Sequence, residues 1–220
     1  MSGRSRPTDV SSLPTRIAVF PLPGVLLLPG GRLPLNIFEP RYLEMTDDAL
    51  ATSRLIGMIQ PADPADRTER PALYPTGCAG RLVAYSETDD GRYLITLRGV
   101  CRFTVREELD PRRMFREVVP DWTPFAADLE APDDSGIDRE RLLALLKPFL
   151  DLHGIKGDWD TLNKVAPATL VTSLAMMCPL EPRDKQALLE IGTLRQRGEM
   201  LAALLEMAVM QRSPGTGAKQ

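Results

Sequence analysis

The chain has 220 residues, 43% of them hydrophobic and 26% charged, which is enough for a buried core and too apolar for global disorder. Its formal net charge of -3 offers no field for nucleic acid or anionic lipid and argues against both as partners. Arginine supplies 22 of the 27 basic residues, spread along the whole chain, a usage that fits a GC-rich bacterial genome better than a built anion site.

Residues 1–15 are Ser/Pro-rich and are expected to be disordered. The apolar stretch that follows is broken by Pro21, Pro23 and Gly24, so it makes neither a signal-peptide core nor a membrane span, and a cytoplasmic location is expected. Strands are expected at 16–22, 25–28 and 32–38, kept short or edge-like by Pro21, Pro23, Pro29 and Pro34, which cannot donate to a ladder. Pro40 opens a helix that runs by its apolar spacing to residue 53. A strand at 55–59 and an exposed, proline-rich loop at 61–74 follow.

The strands at 81–86 and 93–98 are joined through Asp89-Asp90-Gly91. A turn or bulge at Gly99 leads to a strand over 101–105, whose alternation gives one buried and one solvated face, and 115–119 adds one more. Such strands with one inserted helix suggest a compact, barrel-like sheet over 16–121. The acidic stretch 122–137 reads as a linker. Helices at 139–150, 167–178, 182–191 and 193–211 make a helical subdomain over 138–211, before a disordered tail at 212–220. The fold class is therefore α+β.

Little here resembles catalytic chemistry. No GxSxG elbow and no GxxxxGK[ST] loop occur, and Gly30-Gly31 reads as a tight turn because strand alternation continues after it. Cys78, Cys101 and Cys178 are widely spaced and, with His153 as the single histidine, make no zinc site; buried, reduced thiols are expected. His153 precedes Gly154 at a helix end, where it complements the dipole. The methionines, among them Met176, Met177, Met200, Met207 and Met210, read as core filler. No enzyme activity, metal or cofactor is expected.

The stretch IAVFPLPGVLLLPGGRLPLNIFEPRY places Phe20-Pro21-Leu22, Pro29-Gly30, Leu33-Pro34-Leu35 and the run from Ile37 to Tyr42 in order. It resembles the opening of Lon substrate-binding domains. Gly57-Met58-Ile59, Gly77-Cys78-Ala79-Gly80 and Asp90-Gly91-Arg92 followed by the run from Leu97 to Phe103 extend the likeness, which covers residues 16 to 211. It is nearest to the stand-alone bacterial branch of that family; the ATPase and proteolytic modules of full-length Lon lie outside it.

The resemblance implies a PUA-like β pseudo-barrel with one inserted helix, followed by a helical bundle. It also implies a role in recognising unfolded or tagged protein segments. The leading expectation is a non-enzymatic module that binds extended or unfolded polypeptide, with Phe38, Arg41 and Tyr42 as candidate binding residues. The competing role for these three is structural: Phe38 and Tyr42 would pack the first helix on the sheet while Arg41 forms an ion pair. An adaptor docking on a folded partner such as a protease, through the Met-bearing last helix, is the alternative function. A small-molecule binder or cryptic hydrolase, using a pocket the sequence does not reveal and tested by His153→Ala, is the third.

Overall fold

A computed structural model describes residues 9–110 and 112–212. In chain order the elements are β1 (Ile17–Pro21), β2 (Arg32–Ile37), α1 (Pro40–Ala51), β3 (Leu55–Ile59), β4 (Thr76–Glu87), β5 (Tyr93–Glu108), β6 (Arg116–Asp121), α2 (Arg139–Leu152), α3 (Trp159–Leu162), α4 (Pro167–Met177), α5 (Pro182–Glu190) and α6 (Leu194–Arg212). Short 3₁₀ turns stand at Val10–Ser12 and Thr123–Leu129. The chain is α+β and forms two compact units. One runs to Ala131 and includes Met176–Glu190; the other comprises Pro132–Ala175 and the chain from Ile191.

The first unit holds a six-stranded sheet in the order β2-β5-β4-β3-β1-β6. Only β1 and β3 run parallel; the other pairs are antiparallel. The long strand β5 pairs with β2 along its first half and with β6 along its second, so the ladder through β4, β3, β1 and β6 leads back to β5. Register shifts after Ala79, Leu82 and Val105 bend the strands round, as bulges do.

The sequence reading placed two strands where β5 is one. Gly99 sits at the irregularity between them, and the reason is close approach: a Cβ there would lie 2.0 Å from the Leu28 carbonyl oxygen. The backbone closes on it from the same side, with Gly30 N–H donating to Gly99 O and Gly99 N–H donating to Gly31 O, both at 2.9 Å. The strand expected at 25–28 does not form a ladder. Leu26, Leu27 and Leu28 instead form a fully buried segment without ladder pairing between Pro23 and Pro29.

Three expectations about the boundaries are corrected. The expectation of disorder at 1–15 and 212–220 lies partly outside the described residues, at 1–8 and 213–220, but 9–15 is ordered. Asp9 caps the first 3₁₀ turn, Leu13 is buried in the sheet's core, and the Trp122 indole donates to Pro14 O at 3.0 Å. The stretch 122–137 is not simply a linker, because Trp122 and Leu129 are buried in the same core, while the acidic run from Glu130 to Gly136 is exposed throughout. Finally, α5 leaves the helical subdomain and joins the sheet. Its inner face buries Leu188 and Leu189 beside two polar side chains: Gln186 donates to Thr76 O at 3.2 Å, and Gln60 donates to Gln186 Oε1 at 3.2 Å and to Pro182 O at 3.0 Å. Lys185 Nζ donates to Gly24 O at 2.9 Å, and burial pushes its pKa below the ordinary value.

The second unit is helical. Leu142, Leu146 and Phe149 of α2 are buried, as are Leu170 and Val171 of α4 and Leu201 and Leu205 of α6. Pro148 lies inside α2 but on its exposed side. Arg139 holds the α3 region through Leu162 O, at 2.6 Å, and through Val165 O.

Candidate functional site: the outer face of β2, β5 and β4

Strand alternation sorts these three strands into two faces. Ile37, Ile95, Leu97 and Leu82 point into the core. On the other face the register sets Arg32 beside Arg98 and Arg81, Pro34 beside Thr96 and Ala84, and Asn36 beside Leu94 and Ser86. The small side chains in the middle rows leave an open, shallow cleft of about 500 Å³ lined by Pro34, Asn36, Ala84, Ser86, Leu94 and Thr96. Leu94 is 46% exposed there.

Phe38 continues the alternation one step past β2 and is 60% exposed, with the Arg92 guanidinium 5.8 Å from its ring centroid. Among the described residues β2 is an edge strand. Gly31, one residue before β2, bonds to Gly99, so alternate residues Leu33, Leu35 and Ile37 face β5 while Arg32, Pro34 and Asn36 face the free edge. Pro34 has no N–H and removes the middle donor of that edge, which limits pairing with another sheet.

The three sequence candidates part company. Tyr42 is buried against Phe20, ring centroids 4.1 Å apart, and burial raises its pKa. Arg41 pairs with Glu39 (Nη2 to Oε2, 2.7 Å) and lies 4.6 Å over the Tyr42 ring. Tyr42 therefore packs α1 on the sheet, while Arg41 stays partly exposed. Phe38 alone reaches the open face, because Pro40 starts the helix that turns Tyr42 inward. Leu94 and Pro34, which were not among the sequence candidates, lie on the same open face as Phe38.

Among the described residues no group of three His, Cys, Asp or Glu side chains could hold a metal ion, and no helix is long and apolar enough to cross a membrane. His153 ends α2 with its ring 4.6 Å from that of Phe149. Burial pushes the Cys101 thiol up to about 12 and the Cys178 thiol up to about 11, and Cys78 is buried as well. All three should resist a thiol reagent in the native protein over minutes and react fully in denaturant; rapid labelling of the native chain would contradict this burial. The core-filler expectation for the methionines holds for Met45 and Met58 but not for Met177, Met207 and Met210, which are exposed.

The family described as the ATP-dependent protease La (LON) substrate-binding domain matches residues 16–207. The chain is 24% identical over 203 residues to a Lon protease of Roseiflexus castenholzii, covering 90% of this chain and 25% of that protein. With a Lon protease of Parabacteroides distasonis it shares 30% identity over 202 residues, covering 86% of this chain and 23% of the other. It thus spans about a quarter of the length of these curated relatives. Among solved structures, a Lon N-terminal domain protein from Xanthomonas campestris superposes with a TM-score of 0.60 at 25% identity, covering 86% of this chain and 98% of that one. The N-terminal domain of a Mycobacterium avium complex Lon protease gives 0.63 at 18% identity, with 87% and 98% covered, a likeness of fold. The sheet, its inserted helix and the matched span together make this chain a member of the LON substrate-binding domain family.

Proposed function

We propose that this chain is a non-enzymatic binding module that takes extended or unfolded polypeptide on the outer face of β2, β5 and β4. One observation carries the reading: the free edge of β2 runs beside an apolar trough, with Phe38 and Leu94 exposed along it. Main-chain pairing at such an edge gives affinity for any extended chain, and shallow pockets beside it select side chains. The family's description as a substrate-binding domain supports the same reading.

Titration with a permanently unfolded protein, reduced and carboxymethylated, tests it. The expected result is micromolar affinity that weakens roughly thirtyfold in Phe38→Ser/Leu94→Ser, since each exposed apolar side chain contributes about 1 kcal/mol when covered. Both residues are exposed, so the variant keeps its fold. No binding at hundreds of micromolar would sink the proposal.

A second reading rests on α6, where Met207 and Met210 are exposed one turn apart. They suit docking on a folded partner. If Met207→Ser/Met210→Ser abolished capture and Phe38→Ser/Leu94→Ser did not, the adaptor reading would replace the first.

A further inference from the structure

Arginines 32, 81 and 98 are scattered in sequence but aligned in the sheet. Arg32 is the cross-strand partner of Arg98, and Arg98 is the partner of Arg81, which puts three arginines in one row across three neighbouring strands. Strand spacing sets their backbones about 4.8 Å apart, a distance at which like charges repel. Arg32 and Arg98 are exposed, and neither guanidinium has a hydrogen-bond or ion-pair partner among the described residues. Arg81 reaches back to Ser53 O at 3.4 Å. No outer-face position on these strand segments, from 32 to 36, 81 to 86 or 94 to 98, carries an acidic side chain in register with the row. The row borders the apolar trough directly, with Pro34, Thr96 and Ala84 as its next neighbours.

We infer that this face selects an acidic-apolar segment: an extended polypeptide added along the free edge of β2, with a carboxylate opposite Arg32 and apolar side chains two and four residues away. The inference rests on the polypeptide-binding reading and names the sequence class that reading leaves open. An added strand places every second side chain on the same face. The residue opposite Arg32 then sits about 5 Å from it, within reach of Arg98 for a long carboxylate. The residues two and four along stand opposite Pro34 and Asn36, beside Phe38 and one strand removed from Leu94. Arg32 and Asn36 supply the main-chain donors, and Pro34 supplies a carbonyl only.

The test is an amide NMR titration of the full chain with two capped peptides. The first is Ser-Glu-Thr-Val-Thr-Leu-Ser-Gly, and the second replaces its glutamate with glutamine. At low salt the glutamate peptide should bind roughly three- to tenfold more tightly, with shifts centred on 32–38 and 92–98. That advantage should vanish in Arg32→Gln/Arg98→Gln, whose substitutions are exposed and leave the core intact, and should shrink in 0.5 M salt as surface charge is screened, roughly as the Debye length falls. Equal affinity for both peptides on this face would overturn the charge selection and leave the polypeptide reading standing. Failure of both peptides and of the unfolded protein would overturn both. A ten-nucleotide oligouridylate that bound more tightly than either peptide, and lost binding in the same variant, would overturn the inference in favour of nucleic acid.

Discussion

Replacing Arg102 with methionine should destabilise the sheet unit by about 3–5 kcal/mol, because it leaves a buried carboxylate without its cation. Arg102 and Asp128 side chains are only 4% and 10% exposed. The pair is bidentate: Nε donates to Asp128 Oδ2 and Nη2 to Oδ1, each at 2.8 Å. The third arm, Nη1, donates to Leu189 O at 2.9 Å and so satisfies a carbonyl in the last turn of α5. The guanidinium also lies 4.5 Å over the Phe125 ring. One side chain thereby ties β5, the 3₁₀ turn at Thr123–Leu129 and α5 together. Urea unfolding followed by tryptophan fluorescence measures the loss. The double variant Arg102→Met/Asp128→Leu should recover part of it, since no charge is then stranded; recovery stays partial because Asp128 also accepts the Arg102 backbone N–H at 2.9 Å. A loss below 1 kcal/mol in the single variant would contradict the account.

Phe103→Ala should be comparably damaging, about 3–5 kcal/mol, through the cavity it opens. The ring is fully buried and meets Trp122 edge-on at 5.6 Å. Two glycines make room for it: a Cβ at Gly57 would lie 2.9 Å from Phe103 Cζ, and one at Gly77 would lie 2.6 Å from it. Gly77→Ala alone should therefore cost about 1–3 kcal/mol by overpacking. Combining Gly77→Ala with Phe103→Leu should cost less than the sum of the two singles, as neighbours sharing one space do. Relief is incomplete, because the added Cβ also meets Met58 O at 2.8 Å. Strict additivity in the double-variant cycle would show that ring and glycine do not share that space.

The order of strands and helices was readable wherever local chemistry decides it. The strand at Leu55–Ile59, the turn before β5 and the proline start of α1 rest on periodicity and turn residues alone. What escaped was decided by distant partners. The leucines at 26–28 read as a strand by composition, but Gly99 draws them in as an unpaired buried segment. Helix α5 reads as one more helix of the bundle, yet its Lys185 and Gln186 are buried polar residues whose partners lie near the sheet, 110 or more positions earlier in the chain. At the candidate site the motif around residue 38 did not separate exposed Phe38 from buried Tyr42, because one helical turn decides that. The arginine row was invisible for the same kind of reason: only cross-strand register brings 32, 81 and 98 together.

Hydrogen–deuterium exchange with and without excess unfolded polypeptide tests the central claim most directly. The Arg32 and Asn36 amides face the free edge of β2 and should exchange rapidly in the unliganded chain. Saturation with the polypeptide should slow both, together with protection across 32–38 and 92–98, while α6 is unchanged. Protection confined to α6, or unchanged exchange at Arg32 and Asn36 under saturating ligand, would contradict the assignment of binding to this face.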